Sequence, residues 1–303
     1  MRCSKLFIWK LFAGRFFGWL AGAVFLSQGV LSASVQASPV WKVSNGTETV
    51  YLGGTIHVLA ESDYPLPGSF QQAYSNSEVV FFETDIEVQS KPEFAQKLVA
   101  LTSYPDGQGI DSRLSSDTLQ KLNDYLQSRG ASLQALRRFR PGMLAMVMTN
   151  LELQYQGMSG DGVDQFYTNT AIQDGKPRGQ LETPEEQIKF IASMGQGSED
   201  DLIDYALQDM YKMREDMLAI KSAWREGDRQ GLREVALEPF RENSPEVFNT
   251  LIVERNNNWL PQIEQMFVTP ADELVLVGVL HLVGKEGLLQ QLEKKGYSVT
   301  QLN

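Results

Sequence analysis

Residues 50–57 read V-Y-L-G-G-T-I-H and residues 274–281 read L-V-L-V-G-V-L-H, and these two stretches hold both histidines of the 303-residue chain. In each, an apolar run rich in β-branched residues leads to a glycine and, three positions later, to a histidine. Apolar runs without polar alternation suit strands covered on both faces, as in an α/β sheet. Glycine makes up ~7 % of average sequence, so two histidines would both carry this spacing by chance in roughly 0.5 % of cases. His57 and His281 are therefore expected at strand ends, where open α/β sheets place their sites, with Gly54 and Gly278 leaving room for a backbone or a ligand to approach. The competing reading is two satisfied core histidines, the commoner fate of a single histidine among apolar residues.

Working outward, each stretch continues as strand, turn, helix, strand. The first passes through a helix near 69–77 into a strand at Glu78–Glu83, and the second through a helix from Lys285 to Lys295, stopped by Gly296, into Tyr297–Thr300. The two units echo each other from opposite ends of the chain and are expected side by side in one central mixed sheet of an α/β (α+β) fold. A large helical insertion at about 90–265 separates them. Within it, Ser116 is placed to cap a helix carrying Leu119, Leu122 and Leu126 that stops at Gly130, and Pro141 to start the next. Tyr205, Met210, Met213 and Met217 recur at helical spacing across Glu199–Glu226, and the methionines read as core filler. A short strand at Gly179–Glu182 precedes a helix beginning near Pro184. No Pro-, Gly- or Ser-rich linker divides residues 38–303, which read as a single domain.

Residues 1–37 read as a signal peptide. Arg2, Lys5, Lys10 and Arg15 precede or open an apolar run from Phe16 to Leu26, and Val35-Gln36-Ala37 offers a small-residue cleavage site after Ala37. An anchor is the alternative, but the run is well short of the ~20 residues of a spanning helix. The product is expected to be periplasmic or secreted, with no stable membrane span after cleavage. The one cysteine, Cys3, lies ahead of that run, which excludes disulfides and thiol catalysis from the remainder. The whole chain carries 27 basic and 38 acidic residues, a net charge of −11; without its first four basic residues, 23 against 38 leaves −15. Binding a polyanion starts from a basic surface, so nucleic acid is not an expected partner.

Two imidazoles alone make a weak metal site, since catalytic zinc usually has three protein ligands and an open position. Glu83, ending the strand after the first histidine unit, is the leading carboxylate. Asp85, two residues on, reads as a turn or helix-capping residue. Glu182 either lines the same cleft or favours the following helix N-terminus through its dipole. In the helix expected from Pro245 to Met266, Arg255 falls on the apolar stripe of Phe248, Ile252, Trp259, Ile263 and Met266. An inward charge needs a carboxylate, a substrate anion or a developing oxyanion as partner; a structural ion pair, with Glu254 or Glu186, is the plainer alternative.

With these residues assembled, the chain resembles the TraB/GumN (TraB/PrgY/GumN) family, which includes the Tiki-type metalloproteases, and is most similar to its bacterial GumN branch. The resemblance is carried by Y-L-G-G-T-I-H at 51–57, F-F-E-T-D at 81–85, G-V-D-Q-F-Y at 162–167, G-Q-L-E-T-P-E-E-Q at 179–187, E-R-N-N-N-W-L at 254–260 and V-G-V-L-H-L-V-G-K-E-G-L-L at 277–289. It implies a paired G-x-x-H site with an intervening glutamate, matched by Gly54, His57, Glu83, Gly278 and His281, and an arginine matched by Arg255. It also implies a fold like erythromycin esterase and a divalent ion such as manganese, cobalt or zinc. The second motif departs from the family pattern at Leu280, where a smaller residue is commoner, which implies a more crowded strand end.

The leading expectation is a metal-dependent hydrolase, protease- or peptidase-like, acting on a peptide or protein substrate. His57 and His281 would bind the ion with Glu83 as third ligand or general base, Arg255 would steady the oxyanion, and Gly54, Gly278 and Glu182 would face the substrate. One alternative keeps hydrolysis, as in the esterase-like relatives, and discards the metal. Another is a non-catalytic binder of a peptide, pheromone or haem; the absence of a C-x-x-C-H motif leaves only non-covalent haem.

Overall fold

The computed structural model of the chain describes residues 38–303; the expected signal peptide and its expected cleavage point at Ala37 lie outside the described residues. Eight strands form: β1 (Val40–Ser44), β2 (Thr49–Thr55), β3 (Val58–Leu59), β4 (Val79–Phe82), β5 (Gly160–Asp161), β6 (Arg178–Gln180), β7 (Glu273–Gly278) and β8 (Ser298–Gln301). Six of them make one sheet in the order β6-β4-β7-β2-β1-β8, while β3 and β5 pair apart from it. β2 and β7 run parallel with Thr55 opposite Gly278, so the two histidine units stand next to each other and leave the sheet at the same edge. β4 lies parallel on the far side of β7 and β6 beyond it, whereas β1 is antiparallel to both β2 and β8. The fold is thus α/β with a mixed sheet. Nearly every residue of β2 and β7 is buried, as covering on both faces requires of their unbroken apolar runs.

Helix α1 (Gly68–Asn76) crosses from β2 to β4 and buries Phe70, Ala73 and Tyr74 against the sheet. The insertion then contributes α2 (Ile86–Gln89), α3 (Pro92–Thr102), α4 (Ser116–Ser128), α5 (Leu133–Leu136), α6 (Pro141–Tyr155), α7 (Val163–Asp174), α8 (Pro184–Ser193) and the long α9 (Glu199–Arg225). It closes with α10 (Arg229–Leu232), α11 (Glu238–Asn243), α12 (Pro245–Phe248) and α13 (Arg255–Met266), and α14 (Leu288–Lys294) follows β7. Two π-helical stretches, Arg233–Leu237 and Asn249–Glu254, connect α10 to α11 and α12 to α13. The helix expected from Pro245 to Met266 is therefore one rod with a π-helical middle. Its apolar stripe is buried at Phe248, Ile252, Trp259, Ile263 and Met266.

Two expected boundaries shift. The cap of α4 is Ser115, whose Oγ accepts from the Thr118 amide, because it is Ser115 that keeps an extended backbone ahead of the first turn. Helix α14 starts at Leu288 rather than Lys285, since the preceding turn bends around Asn256, which donates to the carbonyls of His281 and Glu286.

Apolar side chains collect in two clusters. One lies around the sheet and includes Leu52, Phe70, Val80, Trp224, Trp259 and Leu274; the other lies within the insertion and includes Leu122, Leu126, Leu144, Met148, Ile203 and Met210. Met217 packs against both, so α9 joins the insertion to the sheet. The join carries a specific bond: the Trp224 indole N–H donates to the Gly54 carbonyl at 2.7 Å. Among the described residues, no helix is long and apolar enough to cross a membrane.

Candidate active site

Because β2 and β7 are neighbours, the turns that follow them meet at one edge of the sheet. Gly54 and Gly278 nevertheless serve different ends. A Cβ on Gly54 would lie 2.7 Å from Val279 Cγ2, so this glycine lets the second motif pack against the first strand and does not face an opening. A Cβ on Gly278 would stand 3.2 Å from Glu83 Oε1, 3.6 Å from His57 Nε2 and 3.6 Å from His281 Cδ2. The missing side chain of Gly278 is the space on which those three residues converge.

Glu83 sits one residue past β4 and is held from two sides. The Gly278 amide donates to Oε1 at 2.6 Å, and Arg255 Nη2 donates to Oε2 at 2.5 Å. Oε1 then lies 4.0 Å from His57 Nε2 and 4.0 Å from His281 Nε2. Burial disfavours the carboxylate, but Arg255 first, then the two imidazoles and the Gly278 amide, hold Glu83 well below the usual carboxylate range.

His281 is buried in a short 3-10 turn after β7, its ring against Trp259 at a centroid distance of 4.5 Å. Asn256 sets its tautomer. The Asn256 amide nitrogen donates to two carbonyls, so its Oδ1 accepts from His281 Nδ1–H at 2.8 Å, which leaves the lone pair on Nε2, the nitrogen that Arg255 Nη1 meets. Burial, then Arg255 at 3.2 Å from Nε2, push His281 down to about 3, so the ring is neutral. His57, by contrast, has a side chain 60 % exposed, with Nδ1 3.1 Å from Asp164 Oδ1. Asp164 pushes it up to about 9 against a lowering contribution from desolvation. Water screens part of that attraction.

Arg255 is buried, as its place on the apolar stripe requires, and its partners are Glu83 and Glu182 rather than Glu254 or Glu186. Nε and Nη2 donate to the two oxygens of Glu182 at 3.0 and 2.7 Å; Nη2 also reaches Glu83, and Nη1 meets His281 and, at 3.5 Å, the Leu251 carbonyl. All five N–H groups have a partner, which leaves Arg255 orienting the two carboxylates. Glu182 is buried two residues past β6, with both oxygens taken by Arg255; burial lifts it above the usual carboxylate range. The helix N-terminus after it is served instead by the Thr183–Glu186 capping box. Asp85 caps α2, accepting from the Glu87 and Val88 amides.

Asp164 and Asn256 are the functional side chains that the sequence reading passes over. Asp164 stands in the first turn of α7, which starts close to His57 because a Cβ on Gly162 would lie 2.2 Å from the His57 carbonyl oxygen. Its signal was G-V-D-Q-F-Y, an acidic residue just inside a helix start. Asn256 falls four residues after Ile252 and three before Trp259, so the periodicity that singles out Arg255 singles it out as well.

The donor set suits a divalent cation. Each imidazole presents Nε2 while its Nδ1 is anchored by an oxygen of Asp164 or Asn256, the outer arrangement that metal-binding histidines use. Two donors bonded to one ion at 2.0 to 2.2 Å are at most about 4.4 Å apart, and the 4.0 Å separations fall inside that limit. Among the described residues no group of three or more His, Cys, Asp or Glu side chains is arranged to hold a metal ion as it stands, so His57, His281 and Glu83 would have to draw together to do so.

A model of the TraB/PrgY/gumN family matches residues 39–301, nearly the whole chain. No curated protein and no solved structure matches it. The chain belongs to the TraB/PrgY/gumN family.

Proposed function

We propose that the chain is an exported, metal-dependent hydrolase, protease- or peptidase-like, with His57, His281 and Glu83 holding the cation. The observation that carries this reading is that Glu83 Oε1 and His57 Nε2 border the gap left by Gly278, with His281 Nε2 4.0 Å from the same Glu83 oxygen. When bound, manganese, cobalt or zinc would supply Lewis acidity, polarising a carbonyl and making water acidic near neutral pH.

The rest falls to the chain's own groups. Arg255 and the Gly278 amide fix Glu83 so that Oε1 keeps a lone pair toward both imidazoles. Asn256 keeps the proton of His281 on Nδ1 and its lone pair on Nε2. Asp164 holds His57 through Nδ1, so Nε2 is the nitrogen that would lose its proton to hold a cation. Trp259, buried with its ring tilted against His281 and Arg255 4.5 Å from its ring centroid, covers the inner side of the site.

A second reading keeps hydrolysis without a metal. It is favoured by the contact of Arg255 Nη1 with His281 Nε2, which already engages one of the donors. Metal analysis of the purified protein, joined to a peptide-library cleavage assay with and without manganese, separates the two. Metal-dependent hydrolysis predicts about one bound divalent ion, lost in His281→Ala, and turnover abolished by chelator. Turnover that survives chelation moves the assignment to the second reading, and no turnover under any condition rejects both.

A further inference from the structure

We propose that the cleft between α9 and the π-containing rod at 245–266 is the substrate subsite of this centre, and that it takes a cationic, apolar peptide. The assignment rests on the hydrolase reading for its consequence, specificity, while the cleft's preference for a ligand is testable without turnover.

The cleft holds about 310 Å³. Ala145 and Thr149 of α6 form one wall, and Tyr205, Ala206, Met210 and Ile220 of α9 another. The opposite wall is built by the two π-helical stretches, through Val235, Ala236 and Leu251, together with Phe240. Local widening of this kind in helices is frequent at functional sites. The cleft borders the centre. Leu280, the chain neighbour of His281, lines it, as does Leu251, whose carbonyl accepts from Arg255. An apolar wall with methionine in it suits a peptide side chain of variable shape.

The charge around it has one sign. Asp209 and Asp216 line the same cleft, and an adjoining cleft of about 420 Å³, which shares Leu202, Tyr205 and Val247, adds Asp201, Asp204 and Glu246. Neither is lined by a lysine or an arginine. Among the described residues, Asp204 alone of these five has a basic nitrogen within 4.0 Å, that of Lys121 at 3.5 Å. A ligand that brings apolar side chains and positive charge matches both properties, and an acidic peptide would meet repulsion from the same groups.

The test is fluorescence anisotropy on the full chain with three labelled hexapeptides: alternating leucine and lysine, leucine and glutamate, and serine and lysine. Chelator is present so that a metal-dependent activity does not consume the probe. The leucine–lysine peptide is expected to bind at least tenfold more tightly than either other. The double variant Asp209→Asn/Asp216→Asn should remove most of the advantage over the glutamate peptide, and Ala236→Leu, or Ala145→Leu if that variant misfolds, the advantage over the serine peptide. Equal binding of the three, binding of none, or selectivity unchanged in the variants overturns the proposal. If the selectivity holds but the leucine–lysine peptide stays intact once manganese replaces the chelator, the hydrolase reading fails and the subsite assignment stands.

Discussion

Gly278→Ala separates the site from the fold more sharply than any change to a charged residue. The backbone of Gly278 lies at φ −48°, ψ 133°, a region open to any residue, so alanine introduces no backbone strain there. Restricting the unfolded chain by a Gly→Ala change at a compatible position stabilises by about 0.4–1 kcal/mol. The new methyl stands 3.2 Å from Glu83 Oε1, a few tenths of an ångström tighter than ordinary contact, and overpacking of that order costs about 1–3 kcal/mol. The first effect cancels part of the second, and the melting temperature should fall by no more than about 10 °C. Function does not share in the cancellation. The methyl occupies the gap among Glu83 Oε1, His57 Nε2 and His281, where the proposed cation and its water would sit. Turnover is expected to fall at least about 100-fold, equivalent to ~2.7 kcal/mol, with loss of bound divalent ion. Calorimetry, metal analysis and peptide cleavage on one preparation test all three statements. Metal content and turnover within threefold of wild type would refute the assignment of that gap, and a fall in melting temperature beyond 10 °C would refute the packing argument.

Three further outcomes follow from the same structure. Arg255→Met leaves Glu83 and Glu182 buried without their common partner and should destabilise by about 3–5 kcal/mol in urea unfolding; adding Glu182→Gln should restore part of the loss, since one of the two buried charges is then gone. Trp224→Phe removes the indole bond to the Gly54 carbonyl and should destabilise by about 1–3 kcal/mol with an unchanged circular dichroism spectrum; a loss under 0.5 kcal/mol would show that the bond does not tie α9 to the sheet. Burial raises Asp63, but the Lys221 ammonium and the Ala60 amide more than offset this, and its folded pKa is depressed. Its stabilising effect is therefore complete above the unfolded value of about 4 and is lost as pH falls through the lower folded value, so Asp63→Asn should be the less stable protein at pH 7, and the difference from wild type should shrink as pH falls below about 4 in parallel denaturation curves.

Much of the sheet was legible because its signal is local. The runs at 50–54 and 274–277 show no alternation of apolar with charged residues, and a glycine three places before a histidine marks where each strand stops. The stripe of the 245–266 rod was equally legible, since helical period alone places Arg255 among buried apolar residues. Less local features escaped the sequence. A capping box at Thr183–Glu186 draws Thr183 away from β6, so Glu182 lies past that strand, and the bonds of Asn256 to two carbonyls delay the start of α14. Neither is an i, i+4 pattern.

By itself the sequence determined which side chains belong together: two histidines at echoing strand ends, a glutamate at the next strand end, an inward arginine. Periodicity and glycine spacing are properties of a chain segment, so one segment suffices to read them. Only the tertiary structure decided what each does to the others. The parallel pairing of β2 with β7 points one glycine at Val279 and the other at the site. Burial turns Arg255 from a candidate oxyanion donor into the clamp of two carboxylates, and the contrast between a sealed His281 and an open His57 beside Asp164 shifts two identical imidazoles in opposite directions. Those outcomes depend on desolvation and on charges brought from residues 26 to 172 positions away, and neither exists until the chain has folded.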